Sequence, residues 1–318
     1  MAIDSVPPFD PSLLRTGKDL RRLAIDPARA GWRRVRRGIW IPEEAWATLD
    51  RDHRYQALVH ATVLSCQEPG AAVLAAHSAA VVWGLPSIEP WPDHVTLLDP
   101  DGTSGSSAHI RMMHAAPAQI HEVSGLRLTS PARTVVDLAR RGTLETALAA
   151  ADHALRVKLC SRSELADEAG LVTRGARGRG VARLVVDLAD GLSGSAGESL
   201  SRLQMFRANF PRPVLQREYR DEAGLIGYVD FDLGHLIGEF DGRLKYRVPA
   251  GASPHEASQI LWREKKREDR LRRFKEVARW DWSIARTTGA LARHLISHGL
   301  KPLPRSTWID LGPRPSRS

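Results

Sequence analysis

Cysteine is nearly absent from this chain: Cys66 and Cys160 are the two it has. Two thiols cannot build a disulfide framework or a cysteine-based zinc site, which excludes the small stapled folds and the zinc-ribbon modules. Long apolar runs are also missing. The longest stretches, such as residues 71–76, fall far short of the roughly 20 residues that cross a bilayer, so no membrane partner is expected. The opening segment, MAIDSVPPFDP, lacks a basic region followed by an apolar core, and no signal peptide is expected from it. The expectation is a reduced, cytoplasmic protein. Catalytic signatures are scarce as well. No Ser/His/Asp order stands out, and the Gly/Arg-rich segment 174–180 lacks the preceding strand and following Lys-Ser/Thr of a phosphate loop. The twelve histidines read as scattered, with structural or surface roles for His77, His114, His153 and His255.

What is present is a positive balance. Lys and Arg number 46 against 37 Asp and Glu, a formal net charge of +9, and 42% of residues are apolar, as in an ordinary globular protein. A basic chain attracts polyanions and meets nucleic acid faster than a neutral one. The excess is concentrated in residues 15–37, 174–183 and 263–273, while 85–101 is nearly free of it. DNA is the expected partner. Arginine-rich coding would give the same composition without any function.

At 318 residues the chain has room for two or three domains. A helix over 18–24 precedes a basic β-ribbon over 31–42, with Gly38 as its turn. Helices are expected over 45–65 and 71–83, strands over 93–98, 108–114 and 126–129, and a helix after Ser130 as N-cap with Pro131 in its first turn. Further helices read over 144–157, 163–169 and 181–189. The Gly/Ser-rich segment 191–197 is the main linker candidate, dividing the chain into 1–44, 45–190 and 191–318. Beyond it come a helix over 198–209, a strand over 214–220, an acidic hairpin, a long helix over 255–277, a strand over 282–286 and a helix over 290–298. The fold class is α/β in the α+β sense, with a small mixed sheet flanked by helices in the last segment.

The acidic hairpin carries the sharpest signal. With Gly234 and His235 as a two-residue turn, Leu233 faces Leu236, Asp230 lies opposite Glu239, and Tyr228 lies opposite Asp241. Period-two alternation then puts Asp230, Asp232, Glu239 and Asp241 on one side. Like charges facing each other destabilise a sheet unless a cation offsets them. Glu198, at the start of the preceding helix, is a third carboxylate. Glu198, Asp230 and Glu239 are the candidate metal ligands, for Mg²⁺ or Mn²⁺, with Asp241 and Lys245 as further catalytic candidates and Asp232 as a solvated neighbour or a group that supports the ligands without touching the metal. The plain alternatives are a dipole-satisfying acid at a helix start for Glu198 and an exposed strand face for the pair. Candidate nucleic-acid contacts are Arg33, Arg34, Arg36 and Arg37 on the ribbon, Arg243 after the hairpin, and Lys265, Lys266 and Arg267 on the helix at 262–273, which also reads as a solvated face laced with ion pairs.

Two family resemblances follow from these motifs. Ser195-Ala-Gly-Glu198, Tyr228-Val-Asp230-Phe, Gly238-Glu239-Phe-Asp241-Gly-Arg-Leu-Lys245-Tyr and the helix from Arg263 to Asp269 resemble actinobacterial proteins whose C-terminal domain is related to very-short-patch-repair endonucleases of the PD-(D/E)XK superfamily. That resemblance covers about residues 193–300 and implies a metal site at Glu198, Asp230 and Glu239 that hydrolyses DNA phosphodiesters. The superfamily places a lysine two residues after the second acid. Here Asp241 stands there, leaving Lys245 as a replacement or the domain as a non-catalytic descendant. Gly31-Trp-Arg-Arg-Val-Arg-Arg-Gly-Ile-Trp-Ile-Pro42, His77-Ser-Ala-Ala-Val-Val-Trp-Gly-Leu-Pro86 and Thr129-Ser-Pro-Ala-Arg-Thr-Val-Val-Asp-Leu-Ala139 resemble abortive-infection antitoxins of the AbiEi type, over about residues 15–190. This second resemblance implies an N-terminal winged-helix-like module on DNA, an α/β domain after it, and a cognate toxin as partner. A DNA-binding antitoxin or repressor without catalysis is the alternative function.

Overall fold

The structure is a computed structural model that describes residues 9–28, 31–66, 69–116, 119–242 and 253–309. It divides into two compact units, one of residues 1–150 with 160–183, the other of 151–159 with 184–318.

In the first unit, a three-stranded antiparallel sheet has the order β1 (Arg15–Thr16), β3 (Ile39–Pro42), β2 (Trp32–Arg36). Gly38 sits at φ 78°, a conformation glycine adopts without strain, and it turns β2 into β3. The helix α1 (Gly17–Arg22) begins at a capping box in which Thr16 and Asp19 satisfy each other's backbone N–H. Phe9, Leu14, Ile39 and Ile41 bury against Ala57 and Ala61.

The helix expected over 45–65 is two helices, α2 (Glu43–Thr48) and α3 (Arg51–Leu64). Asp50 is the reason. Its carboxylate accepts the N–H groups of Asp52 and His53 and starts a new helix after the extended Leu49. The helix expected over 71–83 is also corrected: β4 (Val73–Leu74) occupies its first part, and α4 runs only from Ala76 to Val82. Leu74 pairs with Leu97 on one side and Leu128 on the other, so sheet closure overrides the helix propensity of the alanines. The five-stranded mixed sheet has the order β6 (Ile110–His114), β5 (Val95–Asp99), β4, β8 (Leu126–Thr129), β7 (Ile120–Val123). Strand β7 has no clear sequence signal and is held by pairing with β8. Helix α5 (Pro131–Arg141) starts as expected, with the Ser130 hydroxyl accepting the Arg133 N–H. Helices α6 (Leu144–Arg156), α7 (Arg162–Leu171) and α8 (Arg179–Leu188) follow, and the division between units falls within α6 and α8.

The second unit is built on a four-stranded mixed sheet with the order β12 (Glu276–Asp281), β11 (Leu236–Asp241), β10 (Gly224–Asp232), β9 (Val214–Asp221). Strands β11 and β12 are parallel, so their connection must cross over, and α10 (Pro254–Leu271) supplies that crossover. This corrects two expectations. The long helix stops at Leu271, because residues 276–281 are needed as the parallel partner of β11. The strand expected over 282–286 is the helix α11 (Trp282–Arg286), capped by Asp281. Tyr219, Ile226, Val229, Ile237 and Val277 pack with Leu271 of α10 on one face of the sheet. On the other face, α9 (Ala196–Arg207) lies against Phe240 and Trp280: the Trp280 indole N–H donates to Ser201 Oγ at 2.8 Å, and α12 (Ala290–Ser297) completes the layer. Residues 191–197 lie inside this unit, with Ser193 buried and Gly191 against Leu155. A mixed sheet between helices is the architecture expected of this segment.

Candidate metal-ion and phosphate site

The hairpin forms in the register expected from sequence: Phe231 pairs with Gly238 and Asp232 with Ile237. The ladder stops there. One residue further on, the Asp230 carboxylate accepts the backbone N–H of Phe240 at 2.9 Å, and the two strands carry Asp230 and Glu239 into a cavity of about 760 Å³. Glu198 enters the same cavity from the first turn of α9. Ser195 caps that helix, and Glu198 folds back on it, accepting from Ser195 Oγ at 2.9 Å and the Gly194 N–H at 2.7 Å. Gln216 links the acids, its amide 3.4 Å from both Glu198 and Asp230. Gly197 allows this approach: a Cβ there would lie 2.0 Å from the Phe240 ring.

Burial and mutual repulsion make these acids weak. Asp230 is pushed up to about 7, first by burial and then by the charge of Glu198. Glu239 is pushed up to about 7 by burial and by Asp230. Glu198 is raised by burial, against the hydrogen bonds from Gly194 and Ser195. Two carboxyls that hold a proton near neutrality are unusual and accompany functional sites. Cations among the described residues partly offset them: Arg156 acts on Glu198, and Arg267 and Arg279 on Glu239. Arg267 of α10 donates to Glu239 at 3.0 Å and to the Tyr228 carbonyl at 2.8 Å, and it also pairs with Glu264 at 3.2 Å.

The remaining predicted residues are placed as follows. Asp232 is not a solvated neighbour. It is 3% exposed and held by Lys275 at 2.8 Å, Arg217 at 3.0 Å and the Tyr219 hydroxyl at 2.8 Å. Those partners draw it out of the acidic crowd and lower its pKa although burial opposes them. Asp241 faces Arg279, at 3.4 Å, and does not line the cavity. Lys245 and Arg243 lie outside the described residues. Arg267 turns inward to Glu239, whereas Lys265 and Lys266 remain exposed, Lys266 over the Trp262 ring at 5.1 Å. In the first unit, Arg33 pairs with Glu43 at 3.1 Å and stacks over Trp46, Arg34 and Arg37 are exposed, and Arg36 is half-buried, which makes it a weaker base. The histidines are not all scattered: His294 and His298, four apart around the end of α12, approach to 4.9 Å between ring centroids, and His298 binds Glu276.

Among the described residues, no group of three or more His, Cys, Asp and Glu side chains closes into a metal cage. Magnesium rarely needs one: it takes one or two carboxylates and completes its shell with water and substrate phosphate oxygens. Asp230 and Glu239, hard oxygen donors lining one cavity, fit such a cation. Gln216 escapes sequence reasoning, and so does the pairing of Arg267, expected as a nucleic-acid contact, with Glu239, since both residues reach the site from other elements.

Comparison with known proteins bears on the first unit most directly. Residues 71–188 match the model of the AbiEi antitoxin C-terminal domain family. Two uncharacterized proteins from strains of Mycobacterium tuberculosis, MT2308 and Rv2248, are each 35% identical over 162 residues, 51% of this chain. The alignment spans 59% of the length of these relatives. The family match ends at residue 188, before the carboxylate cavity begins.

Proposed function

We propose that this protein is DNA-associated and that its second unit hydrolyses DNA phosphodiesters with a divalent cation, Mg²⁺ or Mn²⁺, in a toxin–antitoxin or phage-defence setting. The observation that carries the reading is the gathering of Glu198, Asp230 and Glu239, from three elements, in one cavity. There burial and repulsion hold two of them near neutrality in proton affinity. The AbiEi antitoxin match supports the setting, and with it a cognate toxin as partner.

In this reading Asp230 and Glu239 hold the cation. When bound, a divalent ion makes its water more acidic and offsets the charge that develops on the phosphate. The side chains do the rest. A bound cation would favour the ionised form of both carboxylates, and the Glu198–Gln216–Asp230 link fixes the orientation of Asp230. Arg267, at the cavity wall, would offer its guanidinium to a phosphate oxygen. Exposed Lys265 and Lys266 on the same helix would hold flanking phosphates.

A second reading has an observation of its own. Arg267 neutralises Glu239, and Asp241, standing where the nuclease pattern has lysine, faces Arg279. Such pairing suits a non-catalytic descendant that binds DNA as an antitoxin or repressor. Plasmid nicking separates the two. Purified wild type is expected to nick supercoiled DNA with Mn²⁺ or Mg²⁺ and not with EDTA, and Asp230→Asn and Glu239→Gln should each reduce cleavage by about 10²-fold or more. Cleavage unchanged in both variants refutes the site. DNA retention without nicking under either metal assigns the binding function instead.

A further inference from the structure

The first unit has a cavity of about 320 Å³ at the ends of α4, β5, β6 and α5, with Thr96 and Met113 as its buried floor. Four arginines border it: Arg111 from β6, Arg140 and Arg141 from the end of α5, and Arg177 from the loop before α8. His77 and His94 complete the polar lining, and among the described residues no carboxylate lines the cavity. Arginines in the last turn of a helix are ordinary partners of the helix dipole, which accounts for Arg140 and Arg141. That account does not reach Arg111 or Arg177, which come to the same place from a strand and a loop.

The loop is fitted to this position. Gly178, at φ 78°, lies so close to α5 that a Cβ there would be 2.6 Å from Arg140 Cα. Arg140 Nε donates to the Arg177 carbonyl at 3.3 Å, and Arg179 ties the loop to the Val172 carbonyl at 2.6 Å. Convergent cations repel one another. Arg141 is a weaker base than a free guanidinium through burial and, against the pull of Asp137, through Arg140, Arg133 and Arg111. His77 is likewise weakened by burial and by His94.

We infer that this cavity binds a small phosphorylated ligand of the nucleoside-phosphate class, its phosphates on Arg111, Arg141 and Arg177 and its organic body against Pro92, Met113 and the imidazoles. An arginine fork matches phosphate oxygens in pairs, which a lone surface cation does not. The small volume and the apolar part of the wall suit a small ligand that enters with an organic body as well as phosphates. The inference is independent of the carboxylate site, which lies in the other unit.

Calorimetric titration of the full chain tests it, with ADP, inorganic phosphate and a short DNA duplex as probes. ADP is expected to bind one per chain, more tightly than phosphate, and to lose affinity by about tenfold or more for each arginine in Arg111→Ala and Arg141→Ala. Arg111 and the outer part of Arg141 reach solvent, so these variants should fold, and circular dichroism checks that they do. Hydrogen exchange on wild type gives a second measurement: ADP should protect residues 174–180 and the end of α5. Absence of ADP binding at millimolar concentration overturns the inference. So does phosphate binding as tight as ADP, affinity unchanged in the variants, or protection confined to other segments. A duplex that loses affinity in both variants while ADP does not bind assigns the arginines to a nucleic-acid backbone and overturns the small-ligand reading.

Discussion

Asp230→Asn should make the metal-free protein more stable at pH 8, although it removes a residue proposed for the site. The folded carboxyl is held up to about 7 from an ordinary value of 3.8. Each unit of difference is about 1.4 kcal/mol, so ionising Asp230 in the folded chain at pH 8 costs at most about 4 kcal/mol relative to the unfolded chain. Asparagine removes that charge and keeps an oxygen for the Phe240 N–H. It loses part of the hydrogen bonding, and about 1–3 kcal/mol of stabilisation is expected. The pH dependence has a definite sign. A folded pKa raised above the unfolded one means that the folded chain binds more protons between them. Stability from this group therefore falls as pH rises from about 4 to about 7 and is level above that. The gain from asparagine should grow over the same window and vanish near pH 4. Urea denaturation of both proteins, with EDTA and with Mg²⁺ or Mn²⁺, measures it. The cation should stabilise wild type at pH 8 and leave Asp230→Asn nearly unchanged. A variant at least 1 kcal/mol less stable than wild type at pH 8 without metal would refute the reasoning, because the charge would then be paired and not strained.

Arg202 and Asp152 form a buried ion pair at 2.7 Å, each about 1% exposed. Arg202→Ala should cost about 3–5 kcal/mol by leaving Asp152 alone, and less toward pH 5, where an acid already raised to about 6 takes a proton. A loss independent of pH would argue against an uncompensated charge. Gly197→Ala should destabilise the second unit by about 2 kcal/mol or more, since the new methyl lies 2.0 Å from Phe240, and should abolish nicking by displacing Glu198. A variant with wild-type urea midpoint and activity would contradict that packing. Asp232→Asn should cost about 2 kcal/mol at pH 7 through its bonds to Lys275 and Arg217. That difference should shrink as pH falls below the ordinary carboxylate range, because Asp232 titrates lower when folded. Nicking should be unaffected, and a loss of activity without a loss of stability would place Asp232 in the site.

Much of the site was legible in local spacing. The Gly234–His235 turn sets a pairing in which Asp230 must face Glu239, and Phe231 with Gly238 confirms the register. Ser130 announces its helix because a cap acts on an N–H three residues away, whereas Ser195, which the spacing puts in a linker, caps α9 in the same way. Helix and strand boundaries were read less well where pairing decided them. Residues 73–74 extend to join Leu97 and Leu128, and residues 276–281 leave the helix to run parallel to β11.

By itself the sequence determined the scarcity of cysteine and of long apolar runs, the basic balance, and the facing acids of one hairpin, because composition and short-range geometry need no partner. Tertiary structure alone decided which charges are balanced. Asp232 is taken by Lys275, 43 residues away, Glu239 by Arg267, 28 residues away, and Asp230 sits beside Glu198 with no ion pair to a described residue. It also brought Arg111, Arg141 and Arg177 to one cavity from three elements. Whether a charged side chain is strained or satisfied depends on burial and on its partners across space, and neither is set by the residues on either side of it.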